Sequence, residues 1–261
     1  MKTVTSKDGT LIAFDQSGSG EPLILVDGAL CSRAFGPMPE LAKLLAPHFT
    51  VINYDRRGRN QSGDTQPYSP ERELEDIEAL IQVAGGSAFV AGVSSGAALS
   101  LAAAAGGLDI KKLALYEAPF MVDKTGHLPP PDSQVQLKAM IAANRRGDAV
   151  KFFMKDMVGV PSFVVFIMGI MPIFKKLKAV AHTLPYDAAV MGDFSLPTKK
   201  AAAVKIPTLV GGGLKSPASM QMSVKQLAEA IPGSELKMFT GQTHNISMKV
   251  LAPVLIEFFN K

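Results

Sequence analysis

Val90-Ala91-Gly92-Val93-Ser94-Ser95-Gly96-Ala97 lies between a β-prone segment, Ser87 to Val90, and a helix-prone one, Ala97 to Ala103. The chain must therefore turn sharply from strand to helix at Ser94. Gly92-x-Ser94-x-Gly96 is the pattern of a nucleophile elbow, which holds a serine out from a strand end on strained backbone. Side chains two residues before and after that serine would collide, so both flanks have to be very small. Choosing Ser95 instead would put Val93 and Ala97 at the flanks, and Val93 is too bulky, which selects Ser94. The pattern alone also fits a glycine-rich turn without chemistry, so the rest of the chain has to decide.

Outward from this turn the chain alternates strands with helices. Thr10 to Asp15 reads as an early strand after an Asp8-Gly9 turn. Pro22-Leu23-Ile24-Leu25-Val26 is a continuous apolar run, the mark of a strand buried on both faces of a parallel sheet. Further strands are expected at Phe49–Tyr54, Leu113–Tyr116, Ile206–Gly211 and Glu235–Phe239, with helices over Pro39–Leu45, Pro70–Val83, Ser216–Ile231 and Val250–Phe259. In the second helix Pro70 suits the first turn and Ser69 a cap, with Leu74, Ile77, Leu80 and Ile81 as its apolar stripe. From about Phe120 to Val204 the strand rhythm stops, and the spacing of apolar residues turns helical. The fold class is α/β: a mostly parallel, doubly wound sheet of residues 1–119 and 205–261, with a helical cap inserted at 120–204. Such a cap lies over the strand ends, where open α/β sheets bind ligands.

Composition narrows the function. The chain has 261 residues, 47% hydrophobic and 19% charged, enough for one large core with an insertion. A net charge of +4, with Lys and Arg scattered, provides no basic stripe for nucleic acid. One cysteine, Cys31, excludes an internal disulfide framework and suits a reducing cytoplasm; Met1 to Gly9 has no apolar signal core. Four dispersed histidines and one cysteine argue against a metal site. The most lipid-like run, Val158 to Phe174, is interrupted by Gly159, Pro161, Gly169 and Pro172 and is short for a membrane span, so a buried helix pair or pocket wall is expected there.

Taken together, Asp27-Gly28-Ala29, Tyr54-Asp55-Arg56-Arg57-Gly58, Gly92-Val93-Ser94-Ser95-Gly96, Ile206-Pro207-Thr208-Leu209-Val210 and Gly241-Gln242-Thr243-His244 make the chain resemble the α/β-hydrolase superfamily over nearly its whole length. The resemblance implies a serine nucleophile at Ser94, a base at His244 on the loop after the last strand, and oxyanion donors from the backbone of Ala29 and Ser95. It implies no cofactor. His48, His127 and His182 lack the required placement and read as structural or surface residues, although His182 could face a pocket from the cap. Relatives often carry His-Gly where this chain has Asp27-Gly28. An ionised Asp27 aimed at a developing oxyanion would oppose catalysis, so its side chain should point away. Cys31 reads as a packed side chain, and Arg56, Arg57 and Arg59 as loop-ordering or surface charges. Asn60 breaks the small-residue pattern usual there.

The third member departs from the pattern. Many relatives place an aspartate after the strand that is Ile206–Val210 here, but this chain reads Gly211-Gly212-Gly213-Leu214-Lys215-Ser216-Pro217. Glu117, at the end of the preceding strand, is the natural substitute, as in certain haloalkane dehalogenases that this arrangement resembles. Asp123 is the second choice, an absent acid the third possibility, and Ser216 could hydrogen-bond His244 without replacing the charge. Phe152, Phe153, Met154, Phe163, Phe166, Ile167, Met168, Met171 and Phe174 could line an apolar pocket or simply pack. Lys175, Lys176 and Lys178 read as a solvated face. The expectation is a serine hydrolase acting on a small, mainly apolar ester, lactone or thioester through an acyl-enzyme. Carbon–carbon bond hydrolysis and cofactor-free perhydrolysis are related chemistries on this scaffold. Dehalogenation and epoxide opening fit less well, because those relatives use an aspartate nucleophile. A non-catalytic small-molecule binder is the alternative, and the Met/Phe surface of the cap could form a homodimer interface.

Overall fold

A computed structural model describes residues 1–122 and 126–261. Its eight strands are β1 (Lys2–Thr5), β2 (Leu11–Ser17), β3 (Pro22–Val26), β4 (Thr50–Tyr54), β5 (Ala88–Val93), β6 (Ile110–Tyr116), β7 (Thr208–Gly213) and β8 (Glu235–Phe239). They form one sheet in the order β1-β2-β4-β3-β5-β6-β7-β8. β1–β2 and β2–β4 pair antiparallel, and every other pair is parallel. β1 was not expected: Lys2-Thr3-Val4-Thr5 is polar and mostly exposed because it edges the sheet, where no apolar run is needed.

The parallel strands sort their side chains by the two-residue period. Ile24 and Val26 of β3 enter one apolar layer, with Leu23 and Leu25 in the other. The first layer is closed by α2 (Pro70–Val83), α3 (Ser95–Ala105) and α10 (Ala218–Ala230), through Ile77, Leu80, Ile81, Leu99, Val224 and Leu227. The second is closed by α1 (Met38–Leu45) and α11 (Met248–Asn260). Phe259 of α11 stacks on Phe89 at 4.9 Å between ring centroids and meets Phe49 edge-on at 6.0 Å, which seats the closing helix against β5. α3 is apolar on all sides, Ser-Gly-Ala-Ala-Leu-Ser-Leu-Ala-Ala-Ala-Ala, and correspondingly buried. Pro70 opens α2 as expected, but the Ser69 side chain makes no capping bond.

Between β6 and β7 the chain leaves the sheet for a set of helices: α4 (Ser133–Ala142), α5 (Arg146–Phe152) continued by a π-helical turn, α6 (Ser162–Ile170), α7 (Ile173–Val180), α8 (Leu184–Met191) and α9 (Thr198–Ala203). A single bridge between Met121 and Ser195 joins the outgoing and returning ends. A third apolar cluster binds these helices to the loop after β3: Leu30 packs with Leu137, Val150, Phe174 and Leu184. Strand order reverses between β3 and β5, since β4 flanks one side of β3 and β5 the other. The crevice at their carboxyl ends is where a doubly wound sheet opens to a ligand.

Candidate active site

Ser94 sits in that crevice. Its backbone is held at φ 54°, ψ −129°, a conformation L-residues rarely adopt. The reason its neighbours are glycine is steric. A Cβ on Gly92 would lie 2.5 Å from the Gly96 carbonyl oxygen and 2.5 Å from Ser100 Oγ. A Cβ on Gly96 would lie 2.3 Å from the Val26 carbonyl oxygen. The turn therefore forms only where β5, α3 and the end of β3 can touch backbone to backbone. Gly28 closes over the serine, with a Cβ there reaching 3.0 Å from Ser94 Cβ.

His244 and Glu117 join Ser94 in one hydrogen-bonded chain. His244 Nδ1 lies 2.9 Å from Glu117 Oε2, and its Nε2 lies 3.2 Å from Ser94 Oγ. A carboxylate can only accept, so Nδ1 carries the proton, and Nε2 is left to accept from the serine hydroxyl. The Glu117 side chain is fully buried while that of His244 is 40% exposed. Glu117 Oε1 accepts from the Gly213 N–H at 2.7 Å and from Ser216 Oγ at 2.6 Å. Ser216 thus contacts Glu117 and not His244. The Gly213–Ser216 stretch, which has no carboxylate of its own, instead grips the one that β6 sends across. Gly213 is required there, since a Cβ would lie 2.3 Å from the carbonyl oxygen of Gln242 in the His244 loop. The same loop is tied down by Tyr116, whose hydroxyl donates to the Thr243 carbonyl at 2.7 Å. Glu117 itself is at φ 43° and Leu30 at φ 61°, so strained backbone recurs around the serine. Asp123 lies outside the described residues.

The Ser95 and Ala29 N–H groups make no backbone hydrogen bond among the described residues. Neither N–H is used in the backbone network of the loop after β3 or of the elbow. The Gly28 N–H is already used by Asp27 Oδ1 at 2.8 Å. The other Asp27 oxygen lies with the Cys31 sulfur against Gly36. Burial pushes Asp27 up to about 7, against the opposing pull of the Gly28 N–H and Arg59. Burial likewise pushes the Cys31 thiol up, with Asp27 adding to it, which disfavours the thiolate.

The arginines are not surface charges. Arg56, Arg57 and Arg59 are among the largest fully buried side chains. Arg56 pairs bidentately with Glu73 at 2.7 and 2.8 Å and donates to the Asp27 carbonyl at 3.2 Å; Arg59 donates to the carbonyls of Gly28 and Cys31. Arg57 is held by Asp76 and Asp8. The remaining carboxylate comes from the helices between β6 and β7. Asp187 of α8 accepts from Arg56 at 2.8 Å, from Arg59 at 2.9 Å and from Ser95 Oγ at 2.7 Å. Burial would raise the Asp187 carboxyl, but Arg59 and Arg56 outweigh it and hold the group below the usual range. One acid on α8 thereby fixes the serine elbow and the loop after β3 together. Tyr186 reinforces it by stacking on Tyr68, ring centroids 3.7 Å apart. Sequence reasoning missed Asp187, although a signal exists: three arginines lie within four residues, and Asp187 ends an acid-free run that begins at Met157. Asn60 adopts φ 45°, a conformation Asn tolerates, and donates to Asp55 at 3.0 Å.

The other expectations divide. Phe174 is buried, and Phe152, Phe153, Met154 and Met168 pack half-buried in the cluster that holds Ala29 and Leu30. Phe163, Phe166, Ile167 and Met171 are exposed, which rules out the buried helix pair of the two alternatives, buried pair or pocket wall, expected for this run. His127 bonds the Asp156 carbonyl, His48 packs by Phe49, and half-buried His182 sits near Arg146 and Asp64. Among the described residues no three His, Cys, Asp or Glu side chains come together as a metal cluster.

The family model described as "Alpha/beta hydrolase family" matches residues 18–248. No curated protein matches the chain. Among solved structures, an alpha/beta hydrolase from Sphaerobacter thermophilus is 54% identical, covering 99% of this chain and 100% of its own, with a TM-score of 0.93. An enol-lactonase from Burkholderia xenovorans shares the fold at 19% identity and TM-score 0.73, covering 100% of both chains. An esterase from Thermogutta terrifontis does so at 19% identity and TM-score 0.70, covering 99% of this chain and 97% of its own. By the span of the family match and the identity to the Sphaerobacter protein, this chain belongs to the alpha/beta hydrolase family.

Proposed function

We propose that this hydrolase cleaves a small, mainly apolar ester, lactone or thioester through an acyl-enzyme on Ser94. Ser94 Oγ attacks the acyl carbon as its proton passes to His244 Nε2, and the carbonyl oxygen becomes an oxyanion facing the Ala29 and Ser95 N–H groups. The C–O or C–S bond then breaks, and His244 returns the proton to the leaving group. Water repeats the two steps and frees Ser94. Glu117 holds the His244 tautomer and stabilises the imidazolium. The single observation that carries the reading is the unbroken chain Ser94 Oγ, His244 Nε2, His244 Nδ1, Glu117 Oε2 at 3.2 and 2.9 Å. The missing acid that motivated a non-catalytic binder has a replacement in Glu117.

The helices of residues 120–204 act in this reading as a cap on the core of residues 1–119 and 205–261. Phe153, Met154 and Met168, packed on the same apolar cluster as Ala29, favour an apolar acyl group. The enol-lactonase and esterase among the structural neighbours accord with acyl transfer. A lone, half-buried thiol suits a reducing compartment, and a cytoplasmic site is proposed. A series of para-nitrophenyl esters of increasing acyl length tests the substrate class. Turnover should be measurable on short apolar chains and vanish in Ser94→Ala. Turnover that survives in Ser94→Ala would overturn the mechanism.

A further inference from the structure

From Met157 to Tyr186 the chain contains no aspartate or glutamate, and Lys175, Lys176 and Lys178 are its only Lys or Arg residues. Within that run α6, Ser-Phe-Val-Val-Phe-Ile-Met-Gly-Ile, is apolar all round, yet of its side chains only Val165 is buried. Phe163, Phe166 and Ile170 are 68, 71 and 75% exposed, and Val158, Ile167 and Met171 are about half exposed beside them. A helix apolar on every side is ordinarily buried, and single exposed apolar residues are ordinary where a contiguous set is not.

Ammonium groups border this face. α7 turns Phe174, Leu177 and Val180 inward and leaves Lys175, Lys176 and Lys178 exposed. Lys151 and Lys178 place Nζ 6.0 and 5.7 Å from the Phe174 ring centroid, and Lys151 Cε is 3.5 Å from where a Cβ on Gly169 of α6 would stand. Lys176 lies 5.4 Å over the ring of Phe35, in the loop that follows β3. The neighbouring acids, Asp148 and Asp156, are already matched by Arg145 and Lys155.

We infer that α6 and α7 dock on an anionic lipid surface, with Phe163, Phe166 and Ile170 in the acyl boundary and the three lysines on phosphate head groups. An interfacial element needs an apolar face and a cationic border, and both are here with no acid between them. A second copy of the chain is the competing occupant, which light scattering separates. The mode is surface docking: among the described residues no helix is long and apolar enough to cross a membrane. The inference does not depend on the chemistry proposed for Ser94.

Flotation of the full chain with phosphatidylcholine vesicles containing about one third phosphatidylglycerol tests it without any measurement of turnover. The wild type should float with these vesicles at low salt, not with pure phosphatidylcholine, and binding should weaken as NaCl is raised. Lys175→Gln with Lys176→Gln should weaken binding about thirtyfold, and Phe163→Ser with Phe166→Ser should abolish it. Both double variants should keep the wild-type melting temperature. Failure of the wild type to float at low salt, or equal flotation of the phenylalanine variant, would overturn the inference. So would a dimer seen by light scattering that the phenylalanine variant dissociates while wild type ignores the vesicles.

Discussion

At the scale of single residues, Glu117 is the position where replacement is most informative. Gln at 117 keeps an oxygen for the Gly213 N–H and Ser216, but offers His244 an N–H where it needs an acceptor. The imidazole would turn to the wrong tautomer, and kcat should fall roughly 10³–10⁴-fold with little change in melting temperature. Asp27 makes a separate prediction, about stability. Its carboxyl is raised from 3.8 to about 7, so between those values the folded state holds a proton that the unfolded state has lost. Stability therefore falls as pH rises from about 4 to about 7. Asp27→Asn keeps the bond to the Gly28 N–H and should flatten that fall by on the order of 3 kcal/mol. Urea denaturation of both proteins at pH 5 and pH 8 measures it; parallel pH dependences would refute it. Glu117 was legible in the sequence because a glutamate ending an apolar parallel strand has few places to go. The partner of Ser216 was not legible, because which oxygen it meets depends on how far β6 and β7 overlap in register.

At the scale of elements, the elbow and α8 carry the strongest expectations. Gly96→Ala drives a methyl group to 2.3 Å from the β3 backbone, with no flexible side chain to yield. It should destabilise the protein by more than about 3 kcal/mol. Asp187→Ala takes from buried Arg59 its only paired carboxylate among the described residues, takes one of two from Arg56, which keeps Glu73, and leaves the Ser95 hydroxyl without its acceptor. A loss of about 3–5 kcal/mol is expected, read as a lowered denaturation midpoint. Asp187→Asn, which can still accept from Ser95, should lose less. An Asp187→Ala protein as stable as wild type would show that α8 does not latch the elbow. Parallel strands and α2 were readable because burial on both faces, or on one helical stripe, prints itself in the order of apolar residues. β1 was not, since an edge strand needs no such print. Of the two readings of the arginines, loop-ordering agrees with their bonds to the Asp27, Gly28 and Cys31 carbonyls, but their burial was not legible for a related reason. Hydropathy sees three charges in a loop, and their carboxylates lie 17, 19 and more than 100 residues away.

At the scale of the whole molecule, the topology explains why one crevice gathers residues from β3, β5, β6 and the loop after β8. Strand order reverses between β3 and β5, where doubly wound sheets bind ligands, and the Ala29 loop and the Ser94 turn follow directly from those two strands. The alternation of strands and helices made this architecture readable from the chain alone. The exposure of α6 was not readable, because an apolar run looks the same whether the fold covers it or leaves it bare. Active-site labelling, followed by intact mass and peptide mapping, bears most directly on the central claim. Wild-type protein treated with a fluorophosphonate should gain one adduct on Ser94, Ser94→Ala none, and Glu117→Gln the same adduct far more slowly. A wild type that stays unlabelled at every pH tested, or an adduct on a residue other than Ser94, would contradict the account.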